Sequence, residues 1–444
     1  MNMNYRSDKT KTIRSVAAGL LCLVLLLLAV PVSAAGSDPG VEHCTSACLY
    51  NFENRKTIYE YKSHDRCFPG STVKLMAALV AWDEFGRKLD TEITVTGGML
   101  AETSGNSIDF FEGEVLTVEE LLNCMLVNSA NDAAVILAIA AAGSTEEFVA
   151  RMNRKAETLG LWGTVYTNCT GMHDPKMVTT AADTAQVAIA CYEIPGFIDI
   201  TSQQKYVLPA TNKSPEREIF NRNALISKYY NAGYYTESAI GMNAGATPQG
   251  GYSLAAVARD NENDLTYLAV VLGGDEADGA VYSYVNGRRM FDWAFTAWGY
   301  RPVLQTSQVM CEIPVKLSST ADYVTLAPKE TMSVFLPADV DLKTAVTYSW
   351  HTFEDSLDAP IEAGTEAGTI TVVNGSEIVG TCPLVTTVSV QRSEFLYFLN
   401  RIEQFTMSRF FRATVISAVI LAILYVFITA FMREKRIRRM SGRR

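Results

Sequence analysis

Ser71 and Lys74 stand three residues apart at the start of a helical stretch, "STVKLMAALVAWDEF". Positions i and i+3 share one helix face, so an ammonium at the second reaches a hydroxyl at the first. A serine hydroxyl is a weak nucleophile until a base takes its proton, and a lysine whose pKa falls on burial is such a base. The helix N-terminus also leaves main-chain N–H groups free, that of Ser71 among them, to hold an oxyanion. A helix cap followed by a solvated lysine has the same spacing, and on its own that plainer reading is the commoner one.

A second polar cluster, Ser129-Ala130-Asn131, falls between two helical runs. A hydroxyl and an amide on a short interhelical loop can point into one cleft, the first relaying protons and the second binding a substrate amide. An N-cap accounts for either residue equally well. The third stretch, "GMNAGATPQGGYSL" over residues 241–254, reads as a strand, a turn at Pro248 to Gly251, and a returning strand. Its Asn243 offers a neutral hydrogen bond and Ala244 none through its side chain.

These residues need elements to hold them. Two short strands around a turn near Glu53 and Asn54 precede the helix that starts at Ser71 and stops at Gly86. Thr117 with Glu120 forms a capping box ahead of "LLNCMLV"; further helices follow after Ser129 and from the cap Ser144. Strands return at residues 252–258 and 265–274, and a helix runs to about Trp298. Strands at both ends with helices between predict an α+β domain whose first and last strands meet in one antiparallel sheet. From residue 301 to 392, short runs such as "DYVTLAP" and "GTITVV", broken by Gly, Pro and Asp, predict a small all-β domain.

The ends and the charge place this assembly. Basic residues followed by the apolar run Val16 to Val30 and small residues at 33–35 read as a signal peptide, with an uncleaved anchor as the alternative. An amphipathic helix over residues 393–412 leads into Ala413 to Met432, an uncharged run long enough to cross a bilayer, and then a basic tail at 433–444 that should stay cytoplasmic. Net charge is −10 over the chain; the tail carries +6 and the first fourteen residues +3, which leaves −19 for the residues between. Such an acidic exported chain excludes nucleic acid as a partner, since phosphate binding needs clustered Lys and Arg. Cys44, Cys48 and Cys67 lie close enough in sequence for a disulfide, with connectivity open. His43 with Cys44 and Cys48 lacks the paired spacing of a metal site, so no metal and no cofactor are expected.

Taken together, Ser71-x-x-Lys74, Ser129-x-Asn131 and the strand at 243–245 resemble the motif set Ser-x-x-Lys, Ser-x-Asn and Lys-Thr-Gly of the penicillin-recognising serine enzymes. Stretches such as "LTVEELLNCMLVNSANDAAVILA" and "LDAPIEAGTEAGTITVVNGSEI" make the chain similar to the low-molecular-mass penicillin-binding proteins of the D-alanyl-D-alanine carboxypeptidase family. The resemblance implies a DD-peptidase/β-lactamase-like domain over residues 36–300, after a signal peptide at 1–35 and before the β domain and membrane helix. It implies that Ser71 forms an acyl-enzyme, Lys74 activates it, Ser129 assists proton transfer and Asn131 holds the substrate's peptide amide. Asn243, Gly245 and Ala246 would complete the substrate-binding strand. The implied substrate is the D-Ala-D-Ala end of a peptidoglycan stem peptide, with β-lactams trapping the same serine.

Two departures bear on the carboxylate of that substrate. Asn243 and Ala244 stand where the family has lysine and threonine, and Asp275, Glu276, Asp278 and Ala280 where relatives often carry an arginine; Arg288 and Arg289 come later. Charge-assisted hydrogen bonds are about twice as strong as neutral ones, so the loss amounts to a few kcal/mol, on the order of a hundredfold in rate. The sequence thus predicts a membrane-anchored carboxypeptidase with weakened or shifted carboxylate recognition. The alternatives are a non-catalytic wall-binding or signalling relative and, with less support, a β-lactamase or esterase.

Overall fold

The computed structural model describes residues 38–86 and 88–441; the signal peptide expected at residues 1–35 lies outside them. The chain divides into two compact units, the first running to residue 299 and taking in 335–339, the second made of 300–334 and 340 onward.

The first unit is built on five antiparallel strands: β1 (Ser46–Asn51), β2 (Lys56–Tyr61), β3 (Ala239–Thr247), β4 (Gly251–Asp260) and β5 (Leu265–Gly274), in the spatial order β2-β1-β5-β4-β3. The first and last strands do meet, with Leu49 of β1 opposite Ala269 of β5. Every residue of β5 except Gly273 is buried. Tyr267, Ala269 and Val271 enter one core and Leu268, Val270 and Leu272 the other. Successive side chains leave a strand on opposite faces, so an unbroken apolar run requires cover on both.

Helices supply that cover. One face carries α1 (Val73–Phe85), α2 (Val118–Val127), α3 (Asn131–Ala142), α4 (Thr145–Thr158) and α5 (Ala181–Tyr192); the other packs α6 (Tyr282–Ala297). In α1 every residue from Val73 to Ala81 is buried, as expected of a helix apolar all round. Lys74 is the one charged residue in that run. The helix expected from Ser71 begins instead as a 3-10 turn at Gly70–Thr72, with regular α-helix from Val73 and Gly86 at its C-cap. The capping box of Thr117 and Glu120 is present at the start of α2.

The second unit holds a six-stranded sheet of β6 (Cys311–Lys316), β7 (Tyr323–Pro328), β8 (Val346–Thr352), β9 (Leu357–Asp358), β10 (Glu366–Asn374) and β11 (Glu377–Thr386), ordered β8-β10-β11-β7-β6-β9. Ile313, Val324, Leu326, Ile370, Val372 and Leu384 fill its interior. Then comes α7 (Glu394–Met407), whose Phe395, Phe398, Leu399, Ile402 and Phe405 form an exposed apolar stripe at helical spacing. In α8 (Arg409–Ser441), the segment Arg409–Lys435 is long and apolar enough to cross a membrane. All eight cysteines of the described residues are free thiols, so the structure forms no disulfide among Cys44, Cys48 and Cys67.

Candidate active site

Ser71 sits in the middle of the 3-10 turn that enters α1. A loop presses on this turn from the side: Asn168 Oδ1 accepts from the N–H groups of Thr170 and Gly171 at 3.1 and 2.8 Å. A Cβ at Gly171 would lie 2.1 Å from the Gly70 carbonyl oxygen, and its φ of +83° is one that glycine adopts without strain. Only glycine lets the loop approach so closely.

That approach places an acceptor over Lys74. The lysine is 1% exposed, and its Nζ donates to the Thr170 carbonyl at 2.6 Å. Burial penalises the ammonium and brings its pKa from 10.5 down to about 7, with the charge of Arg222 acting in the same direction. A lysine that is half neutral near pH 7 can accept a proton from a hydroxyl one helical turn away.

The segment between α2 and α3 brings the next two residues. Ser129 has φ +60°, rare for a residue with a side chain, and its Oγ is buried with no hydrogen-bond partner among the described residues. Asn131 opens α3: its N–H donates to the Asn106 carbonyl and its Nδ2 to the Ser104 carbonyl, both at 2.7 Å. Asp132, which the sequence reading passed over, anchors this arrangement. Its Oδ2 accepts from Ser107 Oγ and from the N–H groups of Ile108 and Asp109 at 2.8 to 3.0 Å, tying the 104–109 loop to α3.

Strand β3 lies at the sheet edge and closes the site. A Cβ at Gly245 would fall 2.1 Å from Ser71 Oγ and 3.8 Å from Ser129 Oγ, so this face of β3 is the one that meets both serines. Period-two alternation puts Asn243 on that same face. Asn243 is 1% exposed, and neither its Nδ2 nor its Oδ1 has a partner among the described residues. Ala244, on the opposite face, joins a cluster with Leu225 and Tyr284.

A cleft of about 320 Å³ opens over these groups, lined by Ser71, Ser129, Asn131, Gly245 and Ala246 of the expected set. Lys74 and Asn243 lie behind its wall. Asp275 and Glu276 line an adjoining hollow, where Tyr252 donates its hydroxyl proton to Glu276 at 2.7 Å. Arg288 and Arg289 are occupied in ion pairs with Asp292 and Glu42. The cleft wall does contain a cation that the sequence reading missed, Arg222. The only signal for it was a polar triplet, Asn221-Arg222-Asn223, in a turn: Asn221 Nδ2 donates to the carbonyls of Thr201 and Gln203, and Asn221 Oδ1 accepts from the N–H of Asn223.

A family model described as D-alanyl-D-alanine carboxypeptidase matches residues 34–276, and one described as the penicillin-binding protein 5 C-terminal domain matches residues 299–392. The chain is 28% identical over 393 residues to D-alanyl-D-alanine carboxypeptidase DacF of Bacillus subtilis, which covers 86% of this chain and 96% of that one. It is 32% identical over 235 residues to DacB2 of Mycobacterium tuberculosis, covering 51% of this chain and 74% of its relative. The fold is shared with penicillin-binding protein 5 from Haemophilus influenzae, at a TM-score of 0.56 and 21% identity over 80% of this chain and 100% of the other. With the carboxypeptidase model spanning more than half of its length, the chain belongs to the D-alanyl-D-alanine carboxypeptidase family of hydrolases.

Proposed function

We propose that this protein is a serine-type D-Ala-D-Ala carboxypeptidase acting on peptidoglycan stem peptides through an acyl-enzyme at Ser71, with altered recognition of the terminal carboxylate. The observation that carries the reading is the buried Lys74, held near neutrality one helical turn from Ser71 beside a cleft that Ser129 and Asn131 also line. Neutral Lys74 takes the Ser71 proton as Oγ attacks the carbonyl of the penultimate D-Ala. Ser129 passes a proton to the departing amine of the terminal D-Ala, and water then hydrolyses the ester and restores Ser71. Main-chain N–H groups of Ser71 and of β3 near Ala246 would hold the oxyanion, which needs neither lysine nor threonine at 243 and 244.

The domain over residues 36–300 would carry the reaction, with the β domain at 301–392 and α7 joining it to the membrane helix. The catalytic and β domains would lie outside the cytoplasmic membrane and the basic tail within the cytoplasm, the orientation favoured by clustered Arg and Lys. β-Lactams would bind as covalent inhibitors. A fluorescent penicillin should label wild-type protein at Ser71 but not Ser71→Ala, and D-Ala should be released from a pentapeptide only by the wild type. Absence of both label and release would leave the non-catalytic reading standing.

A further inference from the structure

Arg222 is the one lysine or arginine among the described residues that line the cleft. Its position is set by backbone contacts: its N–H donates to the Val127 carbonyl at 2.9 Å, beside the segment that carries Ser129, and its own carbonyl accepts the Tyr284 hydroxyl proton at 2.9 Å. The guanidinium lies 5.6 Å from the centre of the Tyr230 ring, and its Nη2 donates to Asn106 Oδ1 at 2.6 Å. Other arginines of this unit have carboxylate partners, Arg217 with Glu114 and Arg289 with Glu42. Arg222 has none among the described residues. A half-buried guanidinium with one neutral acceptor keeps a donor edge free, and its planar fork matches a carboxylate.

The surroundings favour this side of the cleft for an anion. Ala244 and Tyr284 share a cluster with Leu225, three residues on from Arg222, so the arginine belongs to the wall that the 244 side chain faces. There the methyl of Ala244 offers no hydrogen bond. In the adjoining hollow Asp275 and Glu276 repel a carboxylate from the other approach. From this juxtaposition we infer that Arg222 is the specificity-determining residue that receives the substrate's C-terminal carboxylate, in place of cations on β3 and after β5. The inference rests on the proposed carboxypeptidase reading and names the contact that sets its substrate preference.

The test uses the full chain in detergent and two peptides ending in D-Ala-D-Ala, one with a free carboxylate and one with a C-terminal amide. For wild type, Arg222→Lys and Arg222→Gln, the ratio of kcat/KM for acid over amide is measured. The glutamine variant keeps a donor for Asn106. The acid-to-amide preference should fall about 10- to 100-fold in Arg222→Gln and recover in part in Arg222→Lys. Equal loss on both peptides, the signature of a purely structural role through Asn106, would overturn the inference, as would an unchanged ratio. Equilibrium binding of the same peptides to Ser71→Ala, with and without Arg222→Gln, reads the preference without turnover. If no variant turns over either peptide but binding still favours the acid through Arg222, the catalytic reading fails and the carboxylate contact stands; if binding shows no such preference, the contact fails as well.

Discussion

Replacing Lys74 with methionine separates what the lysine costs from what it does. Its side chain is 1% exposed in a helix whose neighbouring positions are apolar, and burial moves its pKa from 10.5 to about 7. That difference is worth about 5 kcal/mol. Because the folded value is depressed, below about pH 7 both states hold the proton and the folded protein carries the whole cost. From there to pH 10.5 the unfolded chain binds more protons than the folded one, so stability rises by about 1.4 kcal/mol per pH unit. Between pH 6 and pH 9 the wild type should therefore gain about 3 kcal/mol that Lys74→Met does not. Denaturant unfolding in detergent, followed by tryptophan fluorescence at several pH values, gives the difference curve. The variant should be the more stable protein at pH 6, with the gap narrowing as pH rises, and it should lose labelling of Ser71 by fluorescent penicillin. In the wild type, labelling should rise through about pH 7 as Lys74 becomes the neutral base. A flat stability difference between pH 6 and pH 9 would refute the reasoning, since it would mean that the ammonium persists when buried.

Two further variants probe the strand beside Ser71. Gly245→Ala places a Cβ 2.1 Å from Ser71 Oγ and 2.5 Å from Ser71 Cβ, so the turn or the strand must shift by about an ångström. Labelling of Ser71 should fall by about a hundredfold or more, while far-UV circular dichroism stays that of the wild type. The double change Asn243→Lys with Ala244→Thr returns the charge and hydroxyl that β3 lacks, and acylation by carboxylate-bearing peptides should rise about tenfold or more. No gain in acylation or D-Ala release would favour the non-catalytic reading.

What the sequence disclosed was what is local along the chain. Ser71 and Lys74 are three residues apart, Ser129 and Asn131 two, and the capping box at Thr117 spans one helical turn; each is readable because backbone geometry alone brings the pair together. The burial of Lys74 depends on helices, strands and a loop at 168–172 that close around it, and only the apolar run through Ala81 hinted at that. Arg222 was missed for the same physical reason. Its backbone partner Val127 and its side-chain partner Asn106 lie far away in sequence, so no window around residue 222 contains the site it joins.

Asn243 shows how the missing lysine is accommodated. The Gly245 approach to Ser71 and Ser129 marks one face of β3 as facing the serines, and Asn243 shares it. A lysine there would extend toward the Ser129 hydroxyl; asparagine is shorter, and the buried amide and the buried hydroxyl are both left without a partner among the described residues. Each unpaired buried group costs about 1–3 kcal/mol, which the fold tolerates beside Ser71. In the proposed reaction the geometry for acyl transfer would depend on Gly245 and the edge-strand backbone, whereas the charge to hold an anion would depend on side chains, so the two can change independently. In this chain the backbone of β3 approaches Ser71, and the Arg222 guanidinium, which donates to Asn106 Oδ1, lines the same cleft as Ala244. The acid-to-amide ratio in Arg222→Gln therefore tests whether this guanidinium supplies the charge that the side chains of β3 do not.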